Sequence, residues 1–274
     1  MFVFSCNSDN KEILSLNTFP ENSSESFLLS TNDNLYISWT EQVADSNFLY
    51  LSKLENNTWS EKSIIKKGTD WFVNWADFPS ISYNNLSNSI FSFHLQKSSE
   101  ETFSYDVNYH INSKETWKDM NKIHDDNTFS EHGFVSSIPY RDGFMVSWLD
   151  GRNTYGNGHD GHAKGAMTLR SAVLDSKGEI TNHSLIDEMV CECCQTSMAI
   201  SNDIPLVVYR DRSKGEIRDI YYSRYIDSDW TEPQPIHDDG WEINGCPVNG
   251  PNVDSYGDNA VSYTHLTLPT NREV

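Results

Sequence analysis

Positive charge is scarce in this chain: Lys and Arg together number 20 against 40 Asp and Glu, a net charge of −20. Nucleic acid and anionic membrane surfaces are therefore excluded as partners, because both would be repelled. An anionic sugar would be repelled too, unless arginines cluster locally to reverse the field. No arginine precedes Arg141, so the whole first half lacks the side chain best suited to grip a carboxylate. Also missing are the roughly 20 consecutive apolar residues a membrane helix needs and any apolar stripe of helical period. Cysteine is limited to five, three of them crowded into "CECC" at Cys191, Cys193 and Cys194. Aromatics are plentiful at 12%, and Asn, Ser and Asp fill the intervals between short apolar runs. That composition points to an all-β protein with many turns.

The two ends differ from the body. The opening "MFVFSCNSDNKE" resembles the tail of a bacterial lipoprotein signal, with Val3 and Ser5 at positions three and one before Cys6. Residues 1–24 are expected to be a clipped signal and polar tether, lipidated at Cys6. The chain would then be an exported periplasmic or cell-surface lipoprotein, touching membrane only through its anchor. "VSYTHLTLPTNREV" resembles the translation of a transposon-end sequencing adapter, so residues 261–274 are set apart as non-native and the protein is expected to be cut short at about Ala260. The folded domain is assigned to residues 25–260.

Self-similarity organises that domain. "LYISWTE", "IFSFHL", "FMVSWLD" and "LVVYRD" each set an aromatic at the end of a short strand, at Trp39, Phe93, Trp148 and Tyr209. Their spacings are 93 − 39 = 54, 148 − 93 = 55 and 209 − 148 = 61. Behind three of them comes a second marker, in "SKLENNTW", "HINSKETW" and "SRYIDSDW", ending at Trp59, Trp117 and Trp230. The third unit, "SAVLDSKGEI", keeps the strand and turn without a Trp. Each unit holds about four short runs of period-two alternation, as a propeller blade requires. One such sheet cannot bury both faces alone, so neighbours must stack.

The second marker resembles the Asp-box of bacterial neuraminidase repeats, S-x-D-x-G-x-T-W. Ser52, Asn56 and Trp59 fit the frame in the first unit, Asn112 and Trp117 in the second, Ser223 and Trp230 in the fourth. With "VCECCQTSMA", "VVYRDR", "IRDIYYSR" and "DDGWEINGCPVNGP", the chain resembles the sialidase-like (exo-alpha-sialidase) bacterial proteins over most of residues 25–260. The resemblance implies a β-propeller, six-bladed when complete, with about four blades and the opening of a fifth present. It also implies a glycan or glycoprotein partner, glycoside hydrolysis and no cofactor. Sialidase catalysis uses three arginines, a Tyr activated by a Glu, and an Asp acid/base; the first arginine's usual motif is absent, and "NTFPENSS" supplies no cation in its place. A propeller that binds glycan or protein without turnover is the alternative, and a metal-binding propeller a third.

The pocket candidates are Asp150, Arg152, Arg210, Asp211 and Arg212, which would line one small anionic or sugar site. Acids two residues after the aligned aromatics, Glu41, Asp150 and Asp211, also have a structural reading as a repeated feature of each blade. His159, Asp160 and His162 stand in the glycine-rich "GNGHDGHAKG", either as metal ligands or as a solvated hairpin tip. Cys191, Cys193, Cys194 and Cys246 allow three pairings. An exported chain favours a bridge from the triplet to Cys246, with a soft metal joined by His159 or His162 as the alternative. If the triplet lies in a strand, Cys191 and Cys193 share one face and Cys194 takes the other.

Overall fold

The computed structural model describes residues 20–114, 116–154 and 165–264, and no helix occurs among them. The lipidation candidate Cys6 and the histidine loop with His159, Asp160 and His162 lie outside the described residues.

Antiparallel sheets follow one another along the chain. The first contains β1 (Ser23–Ser30), β2 (Leu35–Val43), β3 (Ser46–Glu55), β4 (Thr58–Trp59) and β5 (Ser63–Gly68), the last two both pairing with β3. The second contains β6 (Ile81–Asn84), β7 (Ser89–Lys97), β8 (Tyr105–Ser113) and β9 (Thr116–Lys122). The third contains β10 (His132–Tyr140), β11 (Gly143–Asp150), β12 (Thr168–Leu174) and β13 (Ile180–Asp187). The fourth contains β14 (Ser197–Ser201), β15 (Ile204–Arg210), β16 (Ile220–Ile226), β17 (Asp229–Trp230) and β18 (Gln234–Pro235). A hairpin of β19 (Pro251–Tyr256) and β20 (Asn259–Thr264) comes last.

Stacking explains the sequence pattern of the strands. Every residue of β11 is buried, although "GFMVSWLD" shows no alternation, because sheets cover both of its faces. One apolar layer packs Phe91, Phe93 and Tyr109 against Phe144, Val146 and Trp148, joining the second sheet to the third. Another packs Met145 and Leu169 against Val207 and Tyr209, joining the third to the fourth. First strands of successive sheets meet. Ser82 donates to the Ser137 carbonyl at 2.8 Å, Thr196 donates to the Phe134 carbonyl at 2.9 Å, and Ser255 donates to the Ile200 carbonyl at 2.6 Å.

The acid two residues after the aligned aromatic has a structural use in two sheets. Trp39 Nε1 donates to Glu41 at 2.8 Å, and Trp148 Nε1 donates to Asp150 at 2.9 Å. The Trp-ending markers are hairpin turns. Asn56 and Asn57 (φ 50° and 63°), like Asp227 and Ser228 (φ 53° and 68°), form two-residue loops whose left-handed backbone matches the strand twist. In both, the leading serine donates across the hairpin: Ser52 to the Ser60 carbonyl at 2.8 Å, Ser223 to the Thr231 carbonyl at 2.6 Å. The hydroxyl after the Trp accepts a backbone N–H in return, from Lys53 and Arg224, both at 3.1 Å. Trp230 reaches the neighbouring sheet, donating to Ser171 at 2.8 Å, and Trp117 packs on the core between the first two sheets. Asn112 holds its place by pairing with Ile90 across β7 and β8. Ser223 is fully buried, so Ser223→Ala should cost about 1–2 kcal/mol, read as a lower urea midpoint with an unchanged slope.

Strand order also fixes where chemistry collects. Each sheet is a meander, so its first and third turns leave from one end, while its second turn and the link to the next sheet leave from the other. The first end carries the Trp-marked hairpins. Every charged or thiol cluster described below lies at the second end, in residues 69–80, 98–104, 123–131, 188–196, 211–219 and 236–250 or in the strand ends beside them.

Candidate functional site

Three clusters occupy this end. The first is built around Asp150, fully buried at the end of β11. Its carboxylate accepts from Trp148 Nε1, from Arg152 Nε at 2.7 Å and Nη2 at 2.8 Å, and from the Arg152 backbone N–H at 3.1 Å. Burial raises its pKa, but the Arg152 donors and the nearby His132 outweigh that and hold it below the usual range. Arg152 also pairs with Asp125 at 2.7 Å and Asp126 at 3.2 Å. Behind them His124 and His132 stack face to face, 3.7 Å between centroids, with Asp106 alongside.

The second cluster lies where the links before β6 and β10 meet the start of β8. Asp77, in the link from the first sheet to the second, accepts from the Phe134 N–H at 2.8 Å and lies 3.0 Å from the Tyr105 hydroxyl. Glu131, in the next link, lies 2.7 Å from the same hydroxyl. A phenol has one proton to give, so both contacts form only when one carboxyl keeps its proton and donates to the phenol oxygen. Burial pushes Asp77 up to about 7 and Glu131 up to about 8. Gly133 permits the approach: a Cβ there would lie 1.9 Å from Asp77 Oδ2. Glu131 is the less deeply buried of the two, and a carboxyl protonated near neutral pH can serve a bound oxygen as general acid.

Exposed aromatic rings stand on loops of the same end. Trp75, Phe103, Phe129 and Trp241 are 74%, 44%, 51% and 38% exposed, and all four come from loops of this end. Trp75 and Phe129 each precede by two residues a carboxyl of the Tyr105 cluster.

The third cluster surrounds the cysteine triplet. Residues Cys191 to Cys194 form a turn, not a strand, so the expected alternation does not hold. The turn through Glu192 and Cys193 brings Cys191 Sγ to 3.3 Å from Cys194 Sγ, both buried and unbridged. Cys193 instead bonds Cys246, with Cα atoms 6.1 Å apart, as expected of the triplet-to-Cys246 staple, and is thereby removed from any metal-binding set. The hydrogen bond from Cys194 and the adjacent Arg218, 3.2 Å away, lower Cys191 to about 6; Cys194 is raised as the partner that keeps the proton.

Among the five pocket candidates, the structure brings Asp150 and Arg152 together and places Arg210, Asp211 and Arg212 on the fourth sheet. No hydrogen bond or ion pair among the described residues joins the two groups. Arg210 is buried, donates to the Asn249 and Arg218 carbonyls and stacks 4.6 Å from the Trp241 ring. Arg212 is neutralised by Glu192 and Glu216, which also pair with Arg218. Asp211 is pushed up to about 7 by burial and by Asp187. Sequence reasoning missed Asp77, Tyr105, Glu131, Arg218 and the histidine pair. Only the recurrence of an aromatic two residues before an acid, in "WAD" and "FSE", marked the links.

No family model matches the chain, and no curated protein matches it. Among solved structures it is similar in fold to a protein of unknown function from Dyadobacter fermentans DSM 18053, 12% identical with a TM-score of 0.54, covering 90% of this chain and 73% of that one. It is also similar to a neuraminidase-like protein from A/bat/Guatemala/164/2009, 9% identical with a TM-score of 0.50, covering 76% of this chain and 53% of that one. A mutant of AofleA from Arthrobotrys oligospora is similar at 9% identity and a TM-score of 0.50, covering 86% of this chain and 62% of that one. At these identities the likeness is one of fold.

Proposed function

We propose that this chain is a sialidase-like β-propeller, six-bladed when complete, that takes a glycan at the end bearing the carboxyls. The observation that carries this reading is that Trp75, Phe103, Phe129 and Trp241 are exposed on loops of the same end that holds the buried, protonatable acids, Trp75 and Phe129 each two residues before one of them. Flat aromatic faces pack against the apolar faces of sugar rings, and adjacent carboxyls take their hydroxyls. Fold likeness to a neuraminidase-like protein supports the propeller. Export as a periplasmic or cell-surface lipoprotein through Cys6 belongs to the same proposal, supported by the spacing of Val3 and Ser5.

The arginines separate binding from sialidase turnover. Arg152, Arg210, Arg212 and Arg218 each take their partners from within the protein, so neutral sugar faces suit this end better than a carboxylate clamp. Binding without turnover is therefore the first reading. Glycoside hydrolysis is the second, favoured by the proton that Glu131 retains. Glycan affinity measured by calorimetry should fall at least about tenfold in Trp75→Ala, the loss expected of one stacked aromatic, with the thermal midpoint unchanged. Equal affinity in the two proteins would refute this placement. Hydrolysis of a fluorogenic glycoside, lost in Glu131→Gln, would establish the second reading over the first.

A further inference from the structure

The histidine pair beside Asp150 is not used by the glycan reading, and its geometry is that of a ligand set. We propose that Asp106, His124 and His132 bind one divalent transition-metal ion of the zinc class, with Asp126 orienting both imidazoles. Asp126 Oδ2 lies 3.0 Å from His124 Nδ1 and 3.1 Å from His132 Nε2, so one carboxylate oxygen accepts an N–H from each ring. Metal-ligating histidines are held in this way, the second nitrogen bonded to a carboxylate while the first faces the ion.

The remaining nitrogens converge on one oxygen. His124 Nε2 lies 3.2 Å from Asp106 Oδ1, and His132 Nδ1 lies 3.8 Å from it. The 3.2 Å separation is that of neighbouring ligands on an ion with metal–ligand distances near 2.0–2.2 Å, and His132 Nδ1 needs to close by only a few tenths of an ångström to join them. His124 Nε2 and Asp106 Oδ1 are both buried, the His124 side chain is 0% exposed, and beyond their mutual 3.2 Å contact neither atom has a further hydrogen-bond partner. A buried nitrogen and a buried carboxylate oxygen with only each other for a partner, and a second imidazole nitrogen within 4.8 Å of both, form a set that a cation can satisfy. His132 Nδ1 donates to the carbonyls of Tyr105 and Ser130, both 3.2 Å away, and releases that proton when it takes the ion.

Competition decides which atoms are available. Asp150 and Asp126 are occupied by Arg152, which rules out the alternative set of Asp126, His132 and Asp150. Asp106 divides its oxygens, Oδ2 facing Lys122 at 3.3 Å and Oδ1 facing the rings. Four carboxylates (Asp106, Asp125, Asp126, Asp150) meet three cations (Lys122, Arg152, Arg170), leaving an excess of negative charge. An open cleft of about 420 Å³, lined in part by His124, Asp126 and Lys122, gives an ion a way in.

The test titrates the metal-stripped full chain with Zn²⁺ by calorimetry and with Co²⁺ by visible absorption. One ion per chain, a cobalt d–d band and a raised thermal midpoint are expected. Asp106→Asn and His124→Gln should abolish uptake, and Asp126→Asn should weaken it by about 10–100-fold. The paired variants Cys191→Ser/Cys194→Ser and His159→Ala/His162→Ala should bind as the unaltered chain does. Absent uptake would overturn the proposal and leave protons on both imidazoles to satisfy the cluster. Uptake that survives Asp106→Asn and His124→Gln would overturn it too. Should those variants not fold, the cobalt spectrum decides: a near-ultraviolet thiolate charge-transfer band would place the ion on the cysteines and defeat the proposal, whereas its absence alongside the d–d band supports it.

Discussion

Asp150→Ala should lower unfolding free energy by about 3–5 kcal/mol, the cost of breaking a buried ion pair by removing one partner. The carboxylate is fully buried and accepts from Trp148 and three donors of Arg152, and the guanidinium is only 17% exposed. Its counterpart in the first sheet sets the scale. Glu41 also accepts from a Trp, but its cation Lys62 is 42% exposed and rehydrates when the acid is lost. Glu41→Ala should therefore cost about 1–2 kcal/mol. Urea unfolding of both variants measures the difference. Equal losses would show that the Trp–acid bond alone matters and that the Arg152 pairing contributes nothing net.

The acids around Tyr105 make a contribution to stability that falls as pH rises. Asp77 ionises near 7 and Glu131 near 8 in the folded protein, against about 4 in the unfolded chain. Between these values the folded state holds more protons on this pair than the unfolded one, so the pair's contribution to stability is full below about pH 4 and is lost as pH rises toward 8. The buried histidines His94 and His110, lowered by burial to about 3 and about 4, act oppositely between pH 4 and 6.5, so the raw profile mixes both signs. A comparison with Asp77→Asn isolates the carboxyl. Relative to the unaltered chain, that variant should gain about 2–3 kcal/mol on going from pH 5 to pH 8. Unfolding midpoints at the two pH values provide the check, and a difference independent of pH would mean that Asp77 ionises normally.

These effects bear on what could be read in advance. The repeat of aromatics and of Trp-marked hairpins was legible because each unit solves one packing problem: a sheet too small to bury both faces recruits its neighbours. That Glu41 and Asp150 serve the structure was legible from their recurrence at one repeat position, whereas their bonds from Trp39 and Trp148 were not. The bridge to Cys246 was legible from the count of cysteines, but the contact between Cys191 and Cys194 was not. It depends on a turn at Glu192 and Cys193, where an extended strand would have parted the thiols. The Tyr105 cluster was hidden for another reason. Asp77, Tyr105 and Glu131 stand 28 and 26 residues apart, on two links and a strand start, and meet only because the sheets stack. His124 and His132 likewise became a pair only through the close stacking of their rings.

Glycan recognition at the carboxyl-bearing end is the claim on which the functional account stands. Its most direct measurement is binding of the purified, folded chain to an array of neutral and sialylated glycans. Retention on a defined subset of neutral glycans, lost in Trp75→Ala, is the expected result. Binding to no glycan, or binding unchanged by Trp75→Ala, would contradict it.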